Sequence, residues 1–244
     1  MTVLLCAISA HADVRSDALK EAAKTNNAAE VQRFIASGVD VNAKDYNGGT
    51  ALMYAASGNA VDAAKLLIAA GADVNANGRD SGTALMWTTV SNAVDVAKLL
   101  IASGADVNAK ADLFGLTSLM YAAIYNSVDV AKLLIASGAD VNVKFSNGWT
   151  ALIFTTLNNA VDVAKLLIAS GADITAMDND GKTALMYAAG TRTRTNAVDV
   201  AKLLIESGAD INAMDNDGKT ALTYAVERGS EDVVDVLLNA VDAR

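Results

Sequence analysis

A-V-D-V-A-K-L-L-I-A-S-G-A-D, residues 93–106, returns letter for letter at 160–173. Close variants begin at Ala60, Ser127 and Ala197, so successive copies start 33, 34, 33 and 37 residues apart. A second string, T-A-L-M, stands at Thr50, Thr83 and Thr183, with T-S-L-M at Thr117, T-A-L-I at Thr150 and T-A-L-T at Thr220. Self-similarity at this period marks stacked repeats, in which one supersecondary element recurs and neighbours supply its core. Six full or terminal repeats and a degenerate first one cover Arg15 to Arg244.

Within a repeat the residue types predict two helices. Thr50 and its equivalents suit an N-cap, whose hydroxyl accepts from a free amide of the first turn. Leu52, Ala55 and Ala56 then share one helical face. The first helix is predicted to end near Asn59, with Asn92, Asn126, Asn159, Asn196 and Gly229 in the same slot. Asn and Gly tolerate the left-handed conformation found at helix ends. The second helix carries Asp62, Asp95, Asp129, Asp162 and Asp199 in its first turn, where negative charge meets the positive end of the helix dipole. Leu66, Leu67 and Ile68 form its apolar stripe, and Gly71, Gly104, Gly138, Gly171 and Gly208 are placed to terminate it.

The full unit, D-N-D-G-K-T-A-L-M-Y-A-A followed by A-V-D-V-A-K-L-L-I-E-S-G-A-D-I-N-A, resembles the ankyrin repeat over essentially all of the chain after residue 14. The resemblance implies an all-α solenoid of helix-turn-helix units joined by β-hairpin or turn loops. It departs from the family's T-P-L-H. Ala51, Ala84, Ser118, Ala151, Ala184 and Ala221 stand in place of Pro, and Met53, Met86, Met120, Ile153, Met186 and Thr223 in place of His. Thr175 replaces the Asn that closes the other repeats. A single array of about seven repeats, residues 13–244, is expected. Polar caps are expected over 15–44, where Glu30 and Arg33 fill apolar slots, and over 215–244, where Glu227, Glu231 and Asp235 replace Ser57, Val61 and Lys65.

Composition narrows the function. The 244 residues are 52% apolar and carry one cysteine, one histidine (His11) and no proline. One cysteine and one histidine leave no disulfide framework, no multi-cysteine or multi-histidine metal site, and few routes to a Ser-His-Asp or Cys-His centre. The formal charge is 19 − 28 = −9, which repels a phosphate backbone, so nucleic acid is not an expected partner. Residues 1–12, M-T-V-L-L-C-A-I-S-A-H-A, hold an apolar run from Val3 to Ala10 that ends in a small-x-small cleavage pattern. They are a candidate signal peptide, truncated because the basic leader is missing; a frayed apolar strand or helix is the alternative. A lipobox at Cys6 is weak, with Leu5 where a small residue is wanted. The run is too short to span a bilayer, which needs about 20 apolar residues. A periplasmic or secreted location is expected, with the cytoplasm as alternative.

Carboxylates are the remaining catalytic inventory. D-N-D-G at Asp178–Gly181 and Asp215–Gly218 is similar to the start of a calcium loop, but the later ligand spacing and the twelfth-position glutamate are missing. A hairpin turn is the expected reading. No cofactor and no metal site are predicted, and a carboxylate-only hydrolase is the weakest alternative.

Binding fits better. Six of the twelve aromatic residues occupy one column: Tyr54, Trp87, Tyr121, Phe154, Tyr187 and Tyr224. That position lies about 200° round the helix from the core leucine and is predicted to face the solenoid's inner, concave wall. Tyr46, Phe114, Phe145 and Trp149 edge the same groove from the hairpin segments. Burial of Tyr54 and Tyr187 against neighbouring helices is the competing expectation. Repeats three to five also carry Thr88, Thr89, Ser91, Leu113, Leu116, Tyr125, Thr155 and Thr156, where repeats two and six have small or acidic residues. Unpaired apolar groups of this kind suggest a contact surface, and aromatics are frequent interface hot spots. The expected partner-binding set is Trp87, Leu113, Phe114, Tyr121, Tyr125, Phe145, Trp149 and Phe154. Arg192 and Arg194, in a four-residue insertion, are a secondary docking candidate or a tolerated insertion. The function expected is a non-enzymatic, monomeric scaffold for a protein partner. The alternatives are a solenoid that stacks a peptide or glycan on its rings, and a purely structural role.

Overall fold

In the computed structural model, which describes residues 14–78, 82–111, 115–190 and 197–242, each repeat places two helices in sequence. They are α1 (14–24), α2 (Ala28–Ala36), α3 (Ala51–Ser57), α4 (Val61–Ala69), α5 (Ala84–Trp87), α6 (Val94–Ala102), α7 (Ser118–Tyr125) and α8 (Val128–Ala136). The remainder are α9 (Ala151–Thr155), α10 (Val161–Ala169), α11 (Ala184–Gly190), α12 (Val198–Glu206), α13 (Ala221–Arg228) and α14 (Glu231–Asp242). The described residues divide between two compact units, one within 1–118 with 136–138 and the other within 119–135 with 139–244. Among the described residues no helix is long and apolar enough to cross a membrane. Residues 1–12, the candidate signal peptide, lie outside the described set.

The helix ends follow from local chemistry. Asn59, Asn92, Asn126 and Asn159 adopt φ of 50–53°. Asn26, which has φ of 54°, and two of these asparagines also reach forward: Asn26 Oδ1 accepts from Ala63 N at 3.0 Å, Asn59 Oδ1 from Val96 N at 3.5 Å and Asn159 Oδ1 from Val200 N at 3.1 Å. One repeat thus caps the second helix of a later one. That helix needs the help, because its own N-cap is an alanine at Ala60, Ala93, Ala160 and Ala197. The predicted glycines terminate the second helices at φ of 87–95°.

At the start of the first helix methionine takes part in the cap. Thr50 Oγ1 accepts from Met53 N, and Met53 Sδ accepts from Thr50 N, both at 3.4 Å. Sulfur is a weak acceptor, so this box is looser than one closed by oxygen or nitrogen. Thr223 Oγ1 plays the same part for Thr220 N, whereas Ile153 offers no acceptor and leaves half a box at Thr150.

The hairpin segments are turns rather than strands. Among the described residues the β-pairing consists of two isolated bridges, Gly78–Gly82 and Lys110–Thr117. Each tip closes on one long bond, such as Asp178 N to Lys182 O at 3.0 Å, before the chain enters the threonine cap. Between hairpins, Asn42, Asn75 and Asn142 each donate to the carbonyl of the next repeat's glycine (Gly71, Gly104, Gly171) and accept from the N–H of the aspartate two residues on. Thr175 instead turns its hydroxyl to Asp173 Oδ1 at 2.7 Å.

The core is the leucine stripe: Leu67, Leu100, Leu134, Leu167 and Leu204 are 0% exposed. At the last repeat Glu227, Glu231 and Asp235 are exposed as a polar cap requires. Yet Val226, Leu238 and Val241 are also exposed, at 63%, 46% and 50%, so this end is less polar than the sequence led us to expect.

Candidate protein-binding face

Two of the short first helices, α5 and α9, have threonine pairs where α3, α7 and α11 have alanine pairs. Thr88 and Thr89 donate to Leu85 O and Met86 O at 2.6 and 2.7 Å, and Thr155 and Thr156 to Leu152 O and Ile153 O at 2.6 and 2.8 Å. All four are 0% exposed, which corrects the expectation that they belong to a contact surface. Their β-branched side chains bond to the preceding turn, and the backbone leaves the α-helix early through i→i−3 bonds such as Thr156 N to Ile153 O.

The aromatic column is tied to the hairpins by a pairing visible only when repeats are laid in register. Tyr54 OH donates to Asp45 Oδ2 at 2.7 Å; Tyr187 OH and Tyr224 OH donate likewise to Asp178 and Asp215. The aspartate stands nine residues before the tyrosine. Its other oxygen accepts two backbone N–H groups at the tip: those of Asn47 and Gly49 at Asp45, and of Asp180 and Lys182 at Asp178. D-N-D-G is therefore a self-capped turn, as expected. Among the described residues no group of three His, Cys, Asp or Glu could hold a metal ion.

These bonds set the protonation states. For Asp45, burial works to raise the carboxyl pKa, but the Tyr54 hydroxyl and the N–H groups of Gly49 and Asn47 outweigh it and hold the group below its ordinary value. Asp215 is lowered in the same way, against burial, by Tyr224, Lys219 N and Asp217 N. The Tyr54 phenol, bonded to Asp45 and partly desolvated, is pushed up to about 12. Tyr187 and Tyr224 are raised by burial and by Asp178 and Asp215.

Where the nine-residue aspartate is lost, so is the tyrosine. Gly78 precedes Trp87, and Phe145 precedes Phe154. In the first compact unit Trp87 is half-buried and meets Tyr54 edge-on, centroids 5.3 Å apart. In the second, the change produces an aromatic cluster. Phe154 touches Phe145 at 5.9 Å and Trp149 at 5.2 Å, and Trp149 meets Tyr187 at 4.8 Å, all edge-to-face. Trp149 Nε1 donates to Tyr187 OH at 2.9 Å and to Asp178 Oδ2 at 3.2 Å. Tyr121 and Tyr125 stack in α7 with centroids 6.4 Å apart.

Of the predicted set, Tyr125 is exposed at 49%, whereas Trp87, Tyr121, Phe145 and Trp149 are half-buried. Phe154 is 6% exposed and lies beneath Phe145 and Trp149, so it floors the cluster rather than facing solvent. The hairpin rings close over it, which the helical angle alone did not foretell. Leu113, Phe114, Arg192 and Arg194 lie outside the described residues. Asp178 and Tyr187 were missed as members of the cluster; their signal was the repeated nine-residue Asp-to-Tyr spacing.

A family model described as ankyrin repeats (three copies) matches residues 2–78, 19–111, 85–178, 119–215 and 176–244. Among solved structures, the human ASB11 ankyrin repeat domain is similar with a TM-score of 0.80 and 26% identity, over 91% of this chain and 96% of that one. No curated protein sequence matches. Repeat pattern, helical pairs and these matches agree: the chain belongs to the ankyrin repeat family.

Proposed function

We propose that this protein is a non-enzymatic scaffold that binds a protein partner through the aromatic face built by Phe145, Trp149 and Tyr187, with Tyr121 and Tyr125 in the same compact unit. Ankyrin repeats are in general protein-interaction modules. The observation that carries the reading is the exchange of an Asp–Tyr pair for Phe145 and Phe154, with Trp149 added at the hairpin end. A half-buried cluster of rings with a hydrogen-bonded indole has the composition of an interface hot spot. Catalysis has no comparable support, since the hairpin carboxylates are engaged in turns and phenol bonds. Export to the periplasm or beyond, with cleavage after Ala12, remains part of the proposal and is tested by mass spectrometry of the mature N-terminus.

The binding reading is tested with Phe145→Ala/Trp149→Ala against a control, Lys132→Ala, on the second-helix face. Partner capture is expected to be lost in the first and kept in the second, with circular dichroism confirming that both fold. Equal capture by both proteins would overturn the assignment, and a glycan-array hit without protein capture would move it to carbohydrate.

A further inference from the structure

In two repeats the position just before the threonine cap faces the tyrosine of the next repeat. In the last pair of repeats it holds Lys182, whose Nζ lies 5.5 Å from the Tyr224 ring centroid, and Lys219 lies 5.6 Å from the same ring. One repeat earlier that position is Trp149, which meets Tyr187 edge-on instead. Among the described residues no cation lies over Trp149 or Tyr187, because Lys182 is turned onward to Tyr224 and sits 3.8 Å from Asp180. The rings are therefore set beside carboxylates as at Tyr224, but without the ammonium that completes the arrangement there.

The surroundings favour a positive occupant. Hairpin segments 139–149, 172–182 and 209–219 hold seven aspartates, Asp140, Asp173, Asp178, Asp180, Asp210, Asp215 and Asp217, against three lysines. Two of those lysines are already paired, Lys182 with Asp180 and Lys219 with Glu227. Asp178 is held at the cluster by Trp149 Nε1 and Tyr187 OH, and the Asp180 side chain is 72% exposed beside it. A ring face flanked by fixed negative charge attracts a guanidinium more than an ammonium, since guanidinium is planar, stacks on rings and is less strongly hydrated.

Resting on the reading that this face binds a protein, we infer that its occupant is a basic, arginine-bearing segment of the partner, with one guanidinium seated against Trp149 and Tyr187 beside Asp178 and Asp180. The acidic hairpin edge steers the segment in, and the rings hold it.

The probe is a blocked nonapeptide of alternating glycine and arginine, compared with the same peptide carrying citrulline, which keeps the shape and removes the charge. The arginine peptide is expected to shift the indole N–H resonance of Trp149 and not that of Trp87, and the citrulline peptide neither. Trp149→Leu keeps apolar volume and every carboxylate, and is expected to weaken binding about fivefold, the loss of one cation–π contact. Asp129→Asn, on the second-helix face, is expected to leave binding unchanged. Equal binding of the two peptides, unchanged affinity in Trp149→Leu, or an unperturbed Trp149 resonance would overturn the inference; the resonance test uses the unaltered protein and needs no variant to fold. If the double alanine variant loses its captured protein while the arginine peptide leaves Trp149 unmoved, the face binds proteins but not through a cation. If capture survives that variant, the underlying assignment of the face fails.

Discussion

Thr175→Asn is expected to add the one asparagine rung that the hairpin ladder lacks. Asn142 shows what is gained: its amide donates to Gly171 O at 3.1 Å and accepts from Asp173 N at 2.8 Å. The corresponding groups one repeat on are Gly208 O and Asp210 N. There is room for the longer side chain, because a cavity of about 120 Å³ lies beside Thr175, lined by Ile174, Met177, Thr183, Ala209, Asp210 and Ala213. Two hydrogen bonds at roughly 0.5–1.5 kcal/mol each give a gross gain of about 1–3 kcal/mol. Solvent exposure and the ordering of the amide reduce this to about 1 kcal/mol, or roughly 2–4 °C in Tm for a chain of this size. Repeat arrays need not unfold in one step, so the melt is paired with hydrogen exchange at the Asp210 N–H, which is expected to slow. Asn142→Thr is expected to show the opposite sign at Asp173. A neutral Thr175→Asn beside a destabilised Asn142→Thr would refute the reasoning, by showing that backbone spacing and not the side chain decides the missing rung.

Three further outcomes are expected. Asn159→Gly keeps the left-handed backbone but loses the cap on Val200 N, at a cost of about 1 kcal/mol; Asn159→Ala adds roughly another 1–2 kcal/mol of backbone strain. Equal denaturation midpoints for the two variants would contradict this. The Asp45–Tyr54 pair contributes stability at neutral pH that is lost at both extremes. The carboxyl's share, with its folded pKa depressed, is present above its ordinary 3.8 and lost as pH falls through the lower folded value. The phenol's share, with its pKa raised, is present below 10 and lost as pH rises through about 12; Tyr54→Phe removes this alkaline loss, checked by stability measured from pH 9 to 12. Finally, Phe145→Asp alone is expected to destabilise by about 2–3 kcal/mol, since it trades ring packing for a carboxylate against Phe154. Adding Phe154→Tyr restores the pair seen at Asp178 and Tyr187 and is expected to recover at least about 1 kcal/mol of that, measured as a double-mutant cycle.

What was legible in the sequence is what local chemistry decides. Threonine caps at Thr50, Thr150, Thr183 and Thr220, left-handed asparagines and terminating glycines appear where the residue types put them, because each acts within one turn of backbone. The degree of wetting of the aromatic column was not legible. Tyr54 and Phe154 share one angle from the core leucine, yet the Tyr54 hydroxyl reaches a hairpin aspartate whereas Phe154 is sealed by rings that arrive from a different segment. The threonine pairs misled for a related reason: a polar residue reads as surface unless its hydroxyl bonds the turn before it, as Thr88 and Thr155 do.

The aromatic face is made by a concerted exchange, and charge desolvation explains why. An aspartate at the hairpin tip needs donors for both oxygens: the tip's own N–H groups satisfy one, and the tyrosine hydroxyl the other. Replacing the tyrosine alone would strip a donor from a part-buried carboxylate, and replacing the aspartate alone would leave a part-buried hydroxyl without its acceptor. The joint change to Phe145 and Phe154 removes the carboxylate and the hydroxyl together, the tip N–H of Trp149 turns to Asn147 Oδ1 at 3.0 Å instead, and the hairpin becomes an apolar seat for the indole. Trp149 then uses the carboxylate one repeat along, Asp178, which already has a phenol donor and gains an indole. The cluster therefore depends on an unmodified Asp–Tyr pair next to a modified one, and a run of Phe–Phe repeats would not reproduce it.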